Sequence, residues 1–250
     1  MFEALKYIHS RSVFHRDIKP ENILVDKSGT RVKIADLGSC RSMNSKPPFT
    51  EYIATRWYRP PECLLTQGHY GAPMDVWGAG CVLFEITSLF PLFPGADELD
   101  QINRIHKVIG TPDKDVLIKL KKNKSGKIDF KFKEQKGVGI RNFIPHASTE
   151  CVHFLKKTLI YDYSKRITSS EAYEHKYFEQ VRERKSKSGE SRSSSTKQSD
   201  ESRHEKPTSR AQEFIVDKVS RNNDDFKKYR FRVEGKVETR NLVKVNMILT

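Results

Sequence analysis

The chain has 250 residues, near the upper limit for one hydrophobic core, so one or two domains are expected. Its 46 Lys and Arg against 32 Asp and Glu leave a net charge of +14, and 36% apolar against 31% charged residues predicts a folded part with a solvated extension. No run of about 18 apolar residues occurs, which rules out a membrane-spanning helix, and the first ten residues lack the short apolar core of a secretory signal.

Phe2, Leu5 and Ile8 or His9 recur at helical spacing, so Glu3–His9 reads as the end of an amphipathic helix. Ile23–Val25 and Val32–Ile34 are short apolar runs separated by Asp26-Lys-Ser-Gly29, the pattern of a small β-hairpin. An irregular segment from Asp36 to Glu62 follows. Helical periodicity then predicts helices over Met74–Leu89, Asp97–Ile109, Asp113–Lys121 and Ser148–Leu159, with a shorter one over Ser169–His175. The fold class is mainly α with one small hairpin, α+β overall.

Composition shifts after Phe178. Residues 1–178 hold 28 basic and 20 acidic residues, both tryptophans and most apolar spacing; residues 179–250 hold 18 and 12. From 182 to 210 the text is Ser, Lys, Arg and Glu with almost nothing to bury, which predicts disorder in a low-complexity basic tail. Tyr229-Arg-Phe-Arg-Val-Glu-Gly-Lys-Val-Glu238 alternates around Gly235 like a weak hairpin. Cys40, Cys63, Cys81 and Cys151 form no CxxC pair, which argues against a structural zinc site or a disulfide framework and fits a reducing compartment, cytosol or nucleus.

The sharpest chemical signal is His15-Arg-Asp-Ile-Lys-Pro-Glu-Asn22, followed fourteen residues after Asn22 by Asp36-Leu-Gly38. Singly, each Asp is an ordinary cap or turn residue. Together they suit phosphoryl transfer, which needs a carboxylate near the acceptor hydroxyl and further oxygens to hold magnesium against the triphosphate. A loop Asp, an amide five residues later and an Asp beyond a hairpin can converge on one site.

Residues 1–178 resemble the C-terminal lobe of a eukaryotic serine/threonine protein kinase, whose signature set has this spacing. The resemblance implies ATP and Mg2+ as cofactors. It makes Asp17 the residue that orients the substrate hydroxyl and accepts its proton, Asn22 and Asp36 the magnesium ligands, and Lys19 the cation facing the transferred phosphate. Thr55 would line the acceptor site, and Lys19, Glu21, Asn22, Leu24 and Asp36 would surround the nucleotide. Pro60-Pro-Glu62 stands where the family has Ala-Pro-Glu. Glu62 would then pair with Arg166, and Asp75 of Asp75-Val-Trp-Gly-Ala-Gly80 would hold the catalytic loop; these three roles are architectural.

Thr50-Glu-Tyr52 lies between Asp36 and Glu62 and resembles a mitogen-activated TxY switch, with Arg16, Arg56 and Arg59 as phosphate partners. Leu92-Phe-Pro-Gly95, Asp100–His106 and Val108-Ile-Gly-Thr-Pro112 match the CMGC group, and the lysine-rich stretch 114–136 falls in that group's insert, a solvated face or a docking surface. Within the group the segments at 36–42, 50–58 and 62–66 resemble the MAPK/MAK/MRK-overlapping kinases, which implies a cytoplasmic, nuclear or cilium-associated enzyme. Protein substrates, with proline after the target residue, and an upstream activating kinase are the implied partners of a monomer.

The family's glycine-rich loop, strand lysine and helix glutamate have no counterpart in this sequence, and Leu37 replaces the usual Phe. Two readings follow: a kinase present as a fragment with little activity of its own, or an inactive fragment that binds or competes. A third, nucleic-acid binding by the basic tail, is disfavoured because acidic residues are interspersed and no aromatic platform stands out.

Overall fold

A computed structural model of the chain describes residues 1–27, 29, 31–49, 55–123, 129–185 and the strand 226–228. Helix α1, Phe2–Ser10, buries Phe2 and Leu5, the face its spacing predicts. The chain then enters strand β1 (Val13–Phe14), a loop over residues 15–19, and a 3-10 turn at Pro20–Asn22. Strands β2 (Ile23–Asp26) and β3 (Val32–Ile34) pair antiparallel with Ile23 opposite Ile34, as the hairpin pattern predicts.

The described residues between 36 and 62 are more ordered than their composition suggests. They hold a 3-10 turn at Leu37–Ser39, strand β4 (Arg41–Ser42) paired with β1, a turn at Arg56–Tyr58, and the start of α2 (Pro61–Leu65). Two-residue strands have no periodicity to read. Their pairing is set by tertiary placement, as the Met43 N–H to Ser12 carbonyl bond beside them shows.

Helix α3, Pro73–Ser88, is the axle of the fold. Proline sits in its first turn, where the missing N–H costs nothing. Ten of its residues are buried, including Trp77 and Ala79 on different faces, as expected of a helix surrounded by protein. Two glycines let neighbours come close. A Cβ on Gly78 would lie 2.9 Å from the Ile18 carbonyl oxygen, and one on Gly80 would lie 2.5 Å from Thr158 Oγ1.

Helix α6 (Thr149–Thr158) packs on α3, α4 (Glu98–Ile109) and α5 (Lys114–Lys121) pack on α2, and α7 (Ser169–Glu174) packs on α1. The starts of α4, α6 and α7 follow the capping chemistry of the sequence. Asp97 accepts from the Asp100 N–H, Ser148 from Cys151, and Thr168 forms a reciprocal capping box with Glu171. The described part does not stop at Phe178. Residues 179–185 are helical, and Arg182 Nη1 donates to the Tyr173 and His175 carbonyls. Residues 182–185 therefore depart from the expected disorder, because an arginine that satisfies the carbonyls ending α7 gains contacts that composition does not register. The rest of the 182–210 stretch, the 229–238 hairpin, Thr50 and Tyr52 lie outside the described residues. Strand β5, Phe226–Lys228, lines the other edge of β2 with Leu24 opposite Lys228.

Candidate active site

Asp75, in the first turn of α3 and 1% exposed, organises the loop beneath it. Its Oδ2 accepts the His15 N–H at 2.6 Å and its Oδ1 the Arg16 N–H at 2.8 Å. His9 Nε2 from α1 approaches Oδ2 at 2.9 Å. Those bonds hold Arg16 in the left-handed region at φ 74°. His15 is fully buried; its Nε2 lies 3.0 Å from the Ala35 carbonyl and its Nδ1 accepts the Asp17 N–H at 3.3 Å. The loop is thus pinned from the helix below and tied to the strand leading to Asp36.

Asp17 is 6% exposed, and its Oδ2 accepts from Lys19 Nζ at 2.8 Å and from Asn22 Nδ2 at 2.9 Å. Asn22 Nδ2 also reaches the Asp17 carbonyl at 2.8 Å. Turning its amide nitrogen toward Asp17 leaves the amide oxygen for another partner. The Ala35 N–H donates to the Asn22 carbonyl at 2.8 Å, which brings Asp36, at φ 63° and exposed, beside Asn22. The result is a buried carboxylate bonded to a cation and an amide, with an exposed carboxylate one residue beyond the backbone bond between Ala35 and Asn22.

The family pattern described as Protein kinase domain matches residues 1–178. The chain belongs to the protein kinase family. It is 51% identical over 180 residues to the human MAPK/MAK/MRK overlapping kinase, an overlap of 72% of this chain and 42% of that protein. Human serine/threonine-protein kinase MAK is 41% identical over 179 residues, or 72% of this chain and 28% of the relative. The rat serine/threonine-protein kinase ICK gives the same identity and coverage. The chain therefore spans about two fifths of the first relative's length and under a third of the other two.

In kinase terms, Asp17, Lys19 and Asn22 come together as the signature requires, with Asp36 one backbone bond away. Thr55 lines a pocket with Arg16, Asp17, Tyr58, Arg59 and Met74, so the expected acceptor-site threonine faces the expected catalytic aspartate. Arg16 and Arg59 share that pocket; burial holds the Arg59 guanidinium below its ordinary range. Arg56 is placed otherwise. Its Nη1 donates to the Ala96 carbonyl at 2.8 Å, and the neighbouring Trp57 indole N–H donates to Gly95. Arg56 is thus tied to the residues just before α4, where a surface carbonyl competes for a side chain that motif reading assigns to a phosphate.

Glu62 and Arg166 form the expected ion pair, with Nη1 to Oε1 at 2.6 Å and Nη2 to Oε2 at 3.0 Å. Leu24 is 7% exposed on β2. Glu21, assigned by resemblance to the nucleotide, has Tyr58 and Glu85 within electrostatic reach, and it joins burial in raising the Glu85 carboxyl above its ordinary range. The Tyr58 hydroxyl donates to Glu85 Oε2 at 2.7 Å, partly offsetting that rise. Motif reading gave no role to Tyr58, although it ends the 50–58 segment, nor to Glu85, His9 and Tyr70, which lie in no signature and reach the loop only through packing. Cys40 carries a thiol pushed up to about 11 by burial and by the nearby Asp75 and Asp36 carboxylates. All four cysteines are free. Among the described residues no helix is long and apolar enough to cross a membrane.

Proposed function

We propose that this chain carries the catalytic loop and acceptor site of a serine/threonine kinase, transferring the ATP γ-phosphoryl group to hydroxyls of protein substrates. The observation that supports it most is Asp17 bonded to both Lys19 and Asn22, at 2.8 and 2.9 Å, in a loop held over the start of α3. Asp17 orients the attacking hydroxyl and takes its proton. Lys19, already paired to Asp17, offers a positive charge to the group in transfer. Asn22 and Asp36 supply hard oxygen ligands suited to Mg2+. When bound, magnesium neutralises charge on the triphosphate.

Thr50 and Tyr52 are the proposed phosphorylation sites, modified by an upstream kinase, with Arg16 and Arg59 as phosphate partners. Substrates with proline after the target residue, and a cytoplasmic, nuclear or cilium-associated location, complete the reading. Four free thiols suit a reducing compartment.

The test is transfer of label from γ-labelled Mg-ATP to a Ser-Pro peptide by the full 250-residue chain. A slow, magnesium-dependent transfer is expected. Asp17→Asn should cut it at least about a hundredfold, the usual share of a general base, without a change in melting temperature. Transfer that survives Asp17→Asn overturns the assignment. No transfer from the unmodified chain overturns it for this polypeptide and favours a binding or competitor role.

A further inference from the structure

Two imidazoles stack where α6 meets the end of α7. The His153 and His175 rings lie 5.0 Å apart between centroids and 25° from parallel, and His153 Nδ1 is 2.8 Å from His175 Nε2. His153, on α6, is exposed; His175 is half-buried, its ring edge-on to Phe154 at 5.0 Å. His175 also joins two elements. It follows the last residue of α7, and its Nδ1 accepts the Tyr177 N–H at 3.1 Å, which caps the 3-10 turn Lys176–Phe178. Its carbonyl accepts Arg182 Nη1 at 3.1 Å and so holds the helical residues 179–185.

The Tyr177 bond fixes every proton in the pair. A ring nitrogen that accepts carries no hydrogen, so neutral His175 has its proton on Nε2 and donates it to His153 Nδ1. His153 then keeps its own proton on Nε2. A further proton has no place to go without loss. On His153 it would sit at Nδ1, facing the Nε2–H of His175. On His175 it would sit at Nδ1, facing the Tyr177 N–H. Each charged form sets donor against donor and forfeits one of the two bonds.

The surrounding charges favour the neutral pair. Burial, then His153, Lys157 on α6 and Arg182 on the segment that follows, hold the His175 imidazole below its ordinary range. The carboxylates of α7 are engaged: Glu171 accepts from Thr168, and Glu174 accepts from Lys6 of α1. Along α6, Glu150 stands one turn before His153 and Lys156 one turn after, so their charges oppose. The Tyr177 phenol, pushed up to about 12 by burial and by Cys151, stays neutral.

We propose that His153 and His175 form a proton-sensitive latch: the neutral pair fastens residues 176–185 onto α6, and uptake of one proton releases them. The fastening is present above the histidine range and is lost as the pH falls through it. The segment it releases leads into the basic stretch that begins at Arg182. The latch is separate from phosphoryl transfer and needs no nucleotide.

The test is amide hydrogen exchange with ring 15N chemical shifts on the full 250-residue chain, between about pH 7.5 and about pH 5, the range in which histidine changes charge. At the upper end both rings should carry their proton on Nε2. Protection of the amides of residues 177–185, taken relative to α3, should fall about tenfold on acidification, the scale of one lost hydrogen bond. His175→Asn keeps an acceptor for the Tyr177 N–H and can turn its amide to suit either form of His153. Its relative protection should not change with pH. His153→Gln accepts without titrating, which leaves only the route through His175 and should move the fall to lower pH.

A proton on His175 Nδ1 at the upper pH overturns the proposal. So does relative protection that stays level in the unmodified chain, or that falls equally in His175→Asn. If His175→Asn does not fold, His153→Gln decides, and a midpoint equal to the unmodified chain's overturns the latch. Two rings that merely pack would lower the melting temperature of both variants without altering the pH at which the segment opens.

Discussion

Arg166 illustrates what a single residue does when no water reaches it. Its side chain and that of Glu62 are 0% and 1% exposed, and two parallel bonds join them. The remaining donors go to the Ile160 and Pro73 carbonyls, while the guanidinium stacks 5.0 Å from the Trp77 ring. Each charge is satisfied only by the other's presence. Glu62→Gln should therefore cost about 3–5 kcal/mol by leaving a buried guanidinium uncompensated. Arg166→Lys should also be costly, since an ammonium cannot copy the fork. Replacing both by apolar residues of similar volume should cost less than either single change, and urea unfolding of the three variants checks the order. The two partners are 104 positions apart. The sequence displays them only through family resemblance, because no local pattern couples residues so distant.

Elements were the most legible level, for a physical reason. Helices α3, α4 and α6 announce themselves through spacing and caps, so their expected bounds fall within a residue of those observed. The strands β1 and β4 and the helical residues around Arg182 depend on distant backbone partners and left no such trace. The site divides the same way. Asp17, Lys19 and Asn22 lie in one motif, whereas Tyr58, Glu85 and Tyr70 reach it only after folding. On α4, His106 is fully buried against the Phe132 ring and 3.1 Å from the Tyr161 hydroxyl, and burial pushes its imidazole down to about 4. Between pH 6.5 and 4 the unfolded chain takes up this proton and the folded chain does not. Stability should therefore be complete above pH 6.5 and decline toward pH 4, by about 3 kcal/mol in all. His106→Gln, which keeps a partner for Tyr161, should flatten that slope in denaturant titrations across the range. Gly78 is the matching constraint on α3. Gly78→Ala places a methyl against the Ile18 backbone beside Asp17, with an expected loss of about 1–3 kcal/mol and, read by the same titrations at neutral pH, no added pH dependence.

At the scale of the whole molecule, the described fold is closed by its two ends. Helix α1 packs on α7, Lys6 Nζ bonds Glu174 Oε1 at 2.8 Å, and the aromatic rings between them converge on Phe154 of α6. Phe154 is fully buried and meets Phe2 at 4.9 Å, His175 at 5.0 Å, Phe178 at 5.1 Å and Tyr177 at 5.8 Å. Residues 2 and 178 thus share one ring cluster, which makes the closure long-range. Surface pairs such as Lys6–Glu174 are screened by water and add little, so the ring cluster must carry the closure. Phe154→Ala should cost about 3–5 kcal/mol, as a buried aromatic truncation does. Lys6→Ala should fall within about 0.5 kcal/mol of the unmodified chain. If α1 and α7 unfold together with α3, the urea midpoint of Phe154→Ala drops while the m-value is unchanged. A lowered m-value would instead mean that the ends open separately and that α3 with its loop stands without them.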